Sequence, residues 1–157
     1  MNRSRNPLLS FSLGWLLVLT VAPLLHGEDP LFIGDLEQKK DEYLGKSIRV
    51  EGRGTIIDRF KLRLRNSQIN FESRTELQTF VVRPPNLEAL GELAKDGNSY
   101  KFIVTSIEAR KSDSDQLSRK RIALDRNSPQ EHYDLAEWAK KRGEFYQDEQ
   151  LKTASRE

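Results

Sequence analysis

The sequence predicts a small, mainly β fold with added α structure: a five-stranded barrel with one helix between its strands, followed by a C-terminal helical hairpin. Three observations predict it. Apolar residues take every second position at Ile48 and Val50 and again at Phe60, Leu62 and Leu64, the period of half-buried strands. Gly52 and Gly54 interrupt the first run, where a sheet bends in order to coil. From Ser128 onward the spacing turns helical, opened by a capping signal.

With 157 residues the chain has room for one small core and some appendages. Charged residues make up 32%, yet Val, Ile, Leu and Phe recur regularly through 44–108, so that part is expected to fold. The chain has no cysteine, which removes disulfides, thiolate metal sites and cysteine nucleophiles together. Arg3 and Arg5 precede the apolar run LLSFSLGWLLVLTVAPLL, and acidic GEDP follows it, the pattern of a secretory signal peptide cleaved near Gly27. The alternative is an uncleaved signal anchor that would tether the protein to a membrane.

The expected organisation is a signal peptide at 1–27, an acidic linker with a short entry helix at 28–45, a barrel at 46–111, a polar linker at 112–127 and a helical pair at 128–157. An exported, periplasmic or secreted protein follows. Charge is uneven across it: thirteen basic and eight acidic residues lie within 43–111, whereas 28–42 holds six acids and two bases. The local excess of five is what bears on partners.

Helix formers in DLEQKKDEY predict the entry helix over 35–43. Strand one is expected over 47–57 and strand two over 59–65. Strand two alternates without error, Phe60, Leu62 and Leu64 against Arg59, Lys61, Arg63 and Arg65. Four cations on one face repel, so either acids such as Glu51 and Glu72 lie across from them or a polyanion does. A third strand is expected from Ile69 and Phe71, resuming at Phe80 to Val82 after the polar ESRTELQ and stopped by Pro84 and Pro85. NLEALGELAK at 86–95 reads as a helix, with Asn86 as its N-cap and Gly97 just past its end. SYKFIVTSIEA at 99–109 reads as a strand. Residues 112–127 read as a linker, partly helical near 117–124, with a basic knot at Arg119, Lys120 and Arg121. Ser128, Pro129 and Glu131 form a capping box for a helix reaching Arg142, with Gly143 as its stop and a second helix at 148–154.

The entry YLGKSIRVEG at 43–52, the expected helix at 86–95 and the return SYKFIVTSIEA resemble the oligonucleotide/oligosaccharide-binding (OB) fold in its small exported bacterial form. The resemblance implies a five-stranded barrel with a helix between strands three and four. Members that grip single strands expose aromatic platforms on strands two and three, whereas strand two here is basic and shows none. The segment HYDLAEWAKKRGEFYQDEQLKTA resembles a single tetratricopeptide-type helix pair through Tyr133, Leu135, Ala136, Gly143, Tyr146 and Ala154. A lone repeat cannot bury its own face, so the pair is expected to pack on the barrel or on a partner.

The candidate ligand-binding residues are Arg49, Arg53, Arg59, Lys61, Arg63 and Arg65, which suit an anionic polymer. Outside the cytoplasm a glycan is a more available ligand than nucleic acid. The candidate partner-binding residues are Tyr133, Trp138, Phe145 and Tyr146, for an adaptor acting through its C-terminal helices. No catalytic residue, cofactor or metal is expected. His132 has no second ligand near it and reads as a surface histidine. The carboxylate pairs Asp113 with Asp115 and Asp148 with Glu149 read as solvated. A non-enzymatic binding module is the expected function, with membrane contact only through an uncleaved N-terminal segment.

Overall fold

The computed structural model describes residues 29–156; the expected signal peptide lies outside them. The fold is mixed α/β, with seven strands in one sheet and five helices. A short strand β1 (Leu31–Phe32) runs into helices α1 (Ile33–Gln38) and α2 (Lys40–Tyr43), close to the expected entry helix. Strands β2 (Ser47–Gly52), β3 (Gly54–Ile56), β4 (Lys61–Leu64), β5 (Asn70–Ser73), β6 (Asn86–Asp96) and β7 (Ser99–Arg110) follow. Helices α3 (Asp113–Ala123), α4 (Pro129–Tyr146) and α5 (Glu149–Ala154) complete the described chain.

The sheet order is β1-β2-β6-β7-β5-β4-β3, with β1 and β3 as open edges, so the strands do not close into the five-stranded barrel expected. Pairing is antiparallel except for β1 with β2 and β5 with β7. Only Arg53 separates β2 from β3, although four strands, and so five inter-strand spacings, lie between them in the sheet. A flat sheet would hold them about 24 Å apart, and two Cα steps span only about 7 Å, so the sheet is strongly coiled. Two glycines allow the bend: a Cβ on Gly52 would stand 2.8 Å from Ile33, and one on Gly54 would stand 2.8 Å from Leu87 of β6.

The stretch 86–95 is a central strand, not the expected helix. Leu87, Leu90 and Leu93 satisfy a helical stripe, but Leu87, Ala89, Gly91 and Leu93 satisfy a period of two equally well, and all four are buried. Pairing with β2 on one side and β7 on the other then outweighs a weak local preference for helix. Gly97, at φ +60°, opens a two-residue turn from Asp96 to Ser99 instead of capping a helix. Residues 80–82 form no strand, and Val81 and Val82 point into solvent.

The inner face of the sheet, with Val50, Leu64, Phe71, Leu87 and Phe102, packs against Ile33 and Leu36 of α1. The expected linker at 112–127 is mostly helix α3, capped by Ser112, whose hydroxyl accepts from the Asp115 N–H. Leu117, Leu135, Ala139 and Leu151 make a second core, so three helices rather than a hairpin pack together. Helix α4 runs through Gly143 and ends at Gln147, whose φ is +55°. Gly143 serves close approach instead: a Cβ there would lie 2.8 Å from the backbone nitrogen of Lys152. The Ser128 hydroxyl caps α4 as expected, while the Glu131 carboxylate accepts from the Asp125 N–H. Tyr146, from the end of α4, lies in the sheet core.

Candidate functional site

Strand β4 buries Leu62 and Leu64, so Lys61 and Arg63 face outward, with Arg65 continuing that face past the strand end. Acids quench one end of this stripe. Glu72 stands opposite Lys61, 3.8 Å away, and 2.6 Å from Lys101, whose ammonium holds the Glu72 carboxyl below the usual range. Arg59 pairs with Glu76 at 3.2 Å. At the other end, the side chains of Arg63 and Arg65 have no acidic partner among the described residues.

That unquenched end borders a cleft of about 490 Å³. Arg53, Arg63, Arg65 and Arg83 line it with Pro84 and Pro85, and Gly54 and Thr55 complete the wall. Local pairing explains the convergence. Thr55 of β3 lies opposite Arg63 of β4, and the Arg65 N–H donates to the Arg53 carbonyl at 2.7 Å, which sets all four residues on the outward face. Arg83 arrives from the loop between β5 and β6 and donates to the Thr55 hydroxyl. The lining offers guanidinium donors and a hydroxyl, with no carboxylate or imidazole among its side chains.

Behind the cleft, Arg53 belongs to a buried charge cluster that clamps the helices onto the sheet. Its Nε donates to Asp113 at 2.7 Å and its Nη2 to Asp148 at 2.6 Å, while its guanidinium stacks 4.5 Å from the Tyr146 ring. Burial alone would lower the Arg53 pKa, but the hydrogen bonds to Asp148 and Asp113 outweigh it and leave it raised. Arg142 donates to the other Asp113 oxygen at 2.9 Å and lies 3.6 Å from Glu51. Its guanidinium is held between Phe32 and Trp138, 4.6 and 4.5 Å from their rings. Asn86 donates to Asp113 at 2.9 Å, and Gln116 donates to Glu51 at 2.5 Å.

Two expectations are corrected here, on the carboxylates at 113 and 148 and on Glu51. Asp113 and Asp148 are not solvated: the Asp113 side chain is wholly buried between two arginines, and Asp148 both binds Arg53 and caps α5. Glu51 faces inward to Arg142 instead of balancing the basic strand. Arg49 lies away from the cleft lining, with Glu88 2.5 Å from its Nε; that hydrogen bond raises its pKa.

The four aromatic candidates separate similarly. Tyr146 is buried, its hydroxyl accepting from the Arg53 N–H at 2.9 Å, and burial pushes its pKa up to about 12. Phe145 packs edge-on against Phe32 at 5.2 Å, and Trp138 covers Arg142. Only Tyr133 of the four is exposed. His132 is exposed too, and the described residues contain no group of three or more histidine or carboxylate ligands placed for a metal.

Sequence reasoning missed Arg83, because the approach to Pro84 was read as a strand end. It also missed Asp113, whose position directly after the Ser112 cap was the available signal. No protein-family model and no curated protein matches the chain.

Proposed function

We propose that this protein is an exported, non-enzymatic binding module that holds an anionic ligand, an acidic glycan or other anionic polymer, in the arginine-lined cleft. One observation carries the reading: Arg63 and Arg65 share an outward face with Arg53 and Arg83 yet have no carboxylate among the described residues to neutralise them. Arg53 is already balanced by Asp113 and Asp148, so the attraction comes from Arg63, Arg65 and Arg83. Guanidinium forks suit carboxylate, sulfate and phosphate groups through paired hydrogen bonds.

The reading includes an OB-type coiled sheet. Taken as one bent strand, β2 and β3 pair with β6 at one end and β4 at the other, with a parallel pair at β5 and β7 between, although the sheet stays open. Against it, the link from β5 to β6 carries no helix.

The test is an amide-shift titration of residues 28–157 with a sulfated oligosaccharide and, separately, a single-stranded oligonucleotide at rising salt. Shifts at 53–65 and at Arg83 that fade with salt are expected. Binding that is insensitive to salt, or shifts confined to other surfaces, would overturn the reading.

A second reading is an adaptor that docks a protein through the C-terminal helices. It is favoured by Tyr133 and Ile122, which expose 62% and 86% of their surface there. Tyr133→Ala should abolish partner capture in that case. Removal of 128–157 is no test, because Arg142 and Tyr146 would leave the clamp and the sheet core.

A further inference from the structure

Exposed apolar side chains lie on two tethered segments that flank the cleft. Val81 is fully exposed and Val82 exposes 79%, while Ile57 and Phe60 expose 56% and 43% at the turn between β3 and β4. Among the other described residues, Ile122 apart, Val, Ile and Phe are buried or half-buried, so four such residues facing water in two segments mark an interaction surface.

The two segments are fastened to each other. The Ser73 N–H donates to the Phe60 carbonyl at 2.7 Å, and the Leu77 N–H to the Arg59 carbonyl at 2.6 Å. Arg59 pairs with Glu76, and Arg83 donates to Thr55. The loop is anchored on one side by buried Leu77 and by Phe80, which packs on the core, and on the other by Arg83. Val81 and Val82 are held outward between these anchors, directly before the cleft-lining Arg83, Pro84 and Pro85.

We infer that the cleft takes its anion from an anionic lipid surface: headgroups enter between Arg63, Arg65 and Arg83 while Val81, Val82, Ile57 and Phe60 dip into the bilayer interface. Guanidinium groups at headgroup level with short apolar side chains beside them form the pairing that such a surface rewards twice, through charge and through burial. A freely dissolved glycan would use the arginines and leave the valines in water. This inference rests on the cleft being an anion site, and no described helix is long and apolar enough to cross a membrane, so the contact is interfacial.

Residues 28–157 contain every described element and both cores, and serve as the test protein. Its binding is measured to phosphatidylcholine vesicles, to vesicles of phosphatidylcholine with phosphatidylglycerol, and to a soluble sulfated oligosaccharide. Binding to the phosphatidylglycerol vesicles alone among the two is expected. Arg63→Ala with Arg65→Ala should weaken it about thirty-fold, from about five-fold per arginine at an anionic leaflet. Val81→Ser with Val82→Ser should weaken vesicle binding about ten-fold and leave the oligosaccharide affinity unchanged. Oligosaccharide binding without vesicle binding, or a valine variant that binds vesicles like the parent, would overturn the lipid surface and leave the cleft standing. Failure to bind any anion would overturn both.

Discussion

Arg53 and Arg65 are neighbours across one ladder of the sheet, joined by a backbone hydrogen bond, and they have opposite fates. Arg53 is held by Asp113 and Asp148, and with Arg142 it forms a clamp between sheet and helices. Arg65, with Arg63, meets no acid among the described residues and lines an open cleft. Strand alternation set both on the same face; carboxylates from distant segments decided which one became structural. Charge in a sequence therefore specifies a role only once the opposing residues are known. In the clamp, desolvation offsets most of the attraction between charges, so its members are costly to remove singly.

The largest expected effect tests the clamp. Asp113→Ala leaves Arg53 and Arg142 without the carboxylate they share and should lower stability by about 3–5 kcal/mol, read as a fall in the urea midpoint. An unchanged midpoint would mean that the cluster does not hold the helices to the sheet. Gly143→Val acts on the same clamp from outside, since its side chain would press on the backbone of α5 and shift Asp148 away from Arg53. A loss of about 1–3 kcal/mol is expected, and less than additive when combined with Asp113→Ala.

A smaller effect appears with pH. Burial would raise the Asp148 pKa, but hydrogen bonds from Arg53 and from the backbone of Leu151 and Gln150 hold it below the ordinary 3.8. The unfolded chain therefore binds that proton more readily. The contribution is present above pH 3.8 and is lost as pH falls through the lower folded value. Asp148→Asn should flatten the acid limb of the stability curve there; an unaltered limb would show that Asp148 does not couple to folding.

The smallest effect on stability belongs to the cleft. Arg63→Ala with Arg65→Ala should move the unfolding free energy by no more than about 0.5 kcal/mol, while anion binding falls. A strongly destabilised double variant would make these arginines structural and erase the distinction from Arg53.

Much of the secondary structure was legible in the residues. Strict alternation at 60–65 and the aromatic, branched run at 99–109 belong to strands β4 and β7, and the Ser128 and Asp148 caps mark the starts of α4 and α5. Local signals failed where two periods fit one segment, as at Leu87 to Leu93, and where a glycine serves contact instead of chain reversal, as at Gly143. The cleft was half legible: Arg63 and Arg65 stood out by spacing, whereas Arg83 came from a loop with no periodic signal.

The sequence by itself determined the alternation, the caps and the basic excess, because each depends on residues within a few positions of one another. The tertiary structure decided that 86–96 would be a strand, that Asp113 would be buried and that Arg53 would be neutralised while Arg63 and Arg65 would not. Those outcomes depend on pairings such as Arg53 with Asp148, which chain connectivity leaves open and only packing brings into contact.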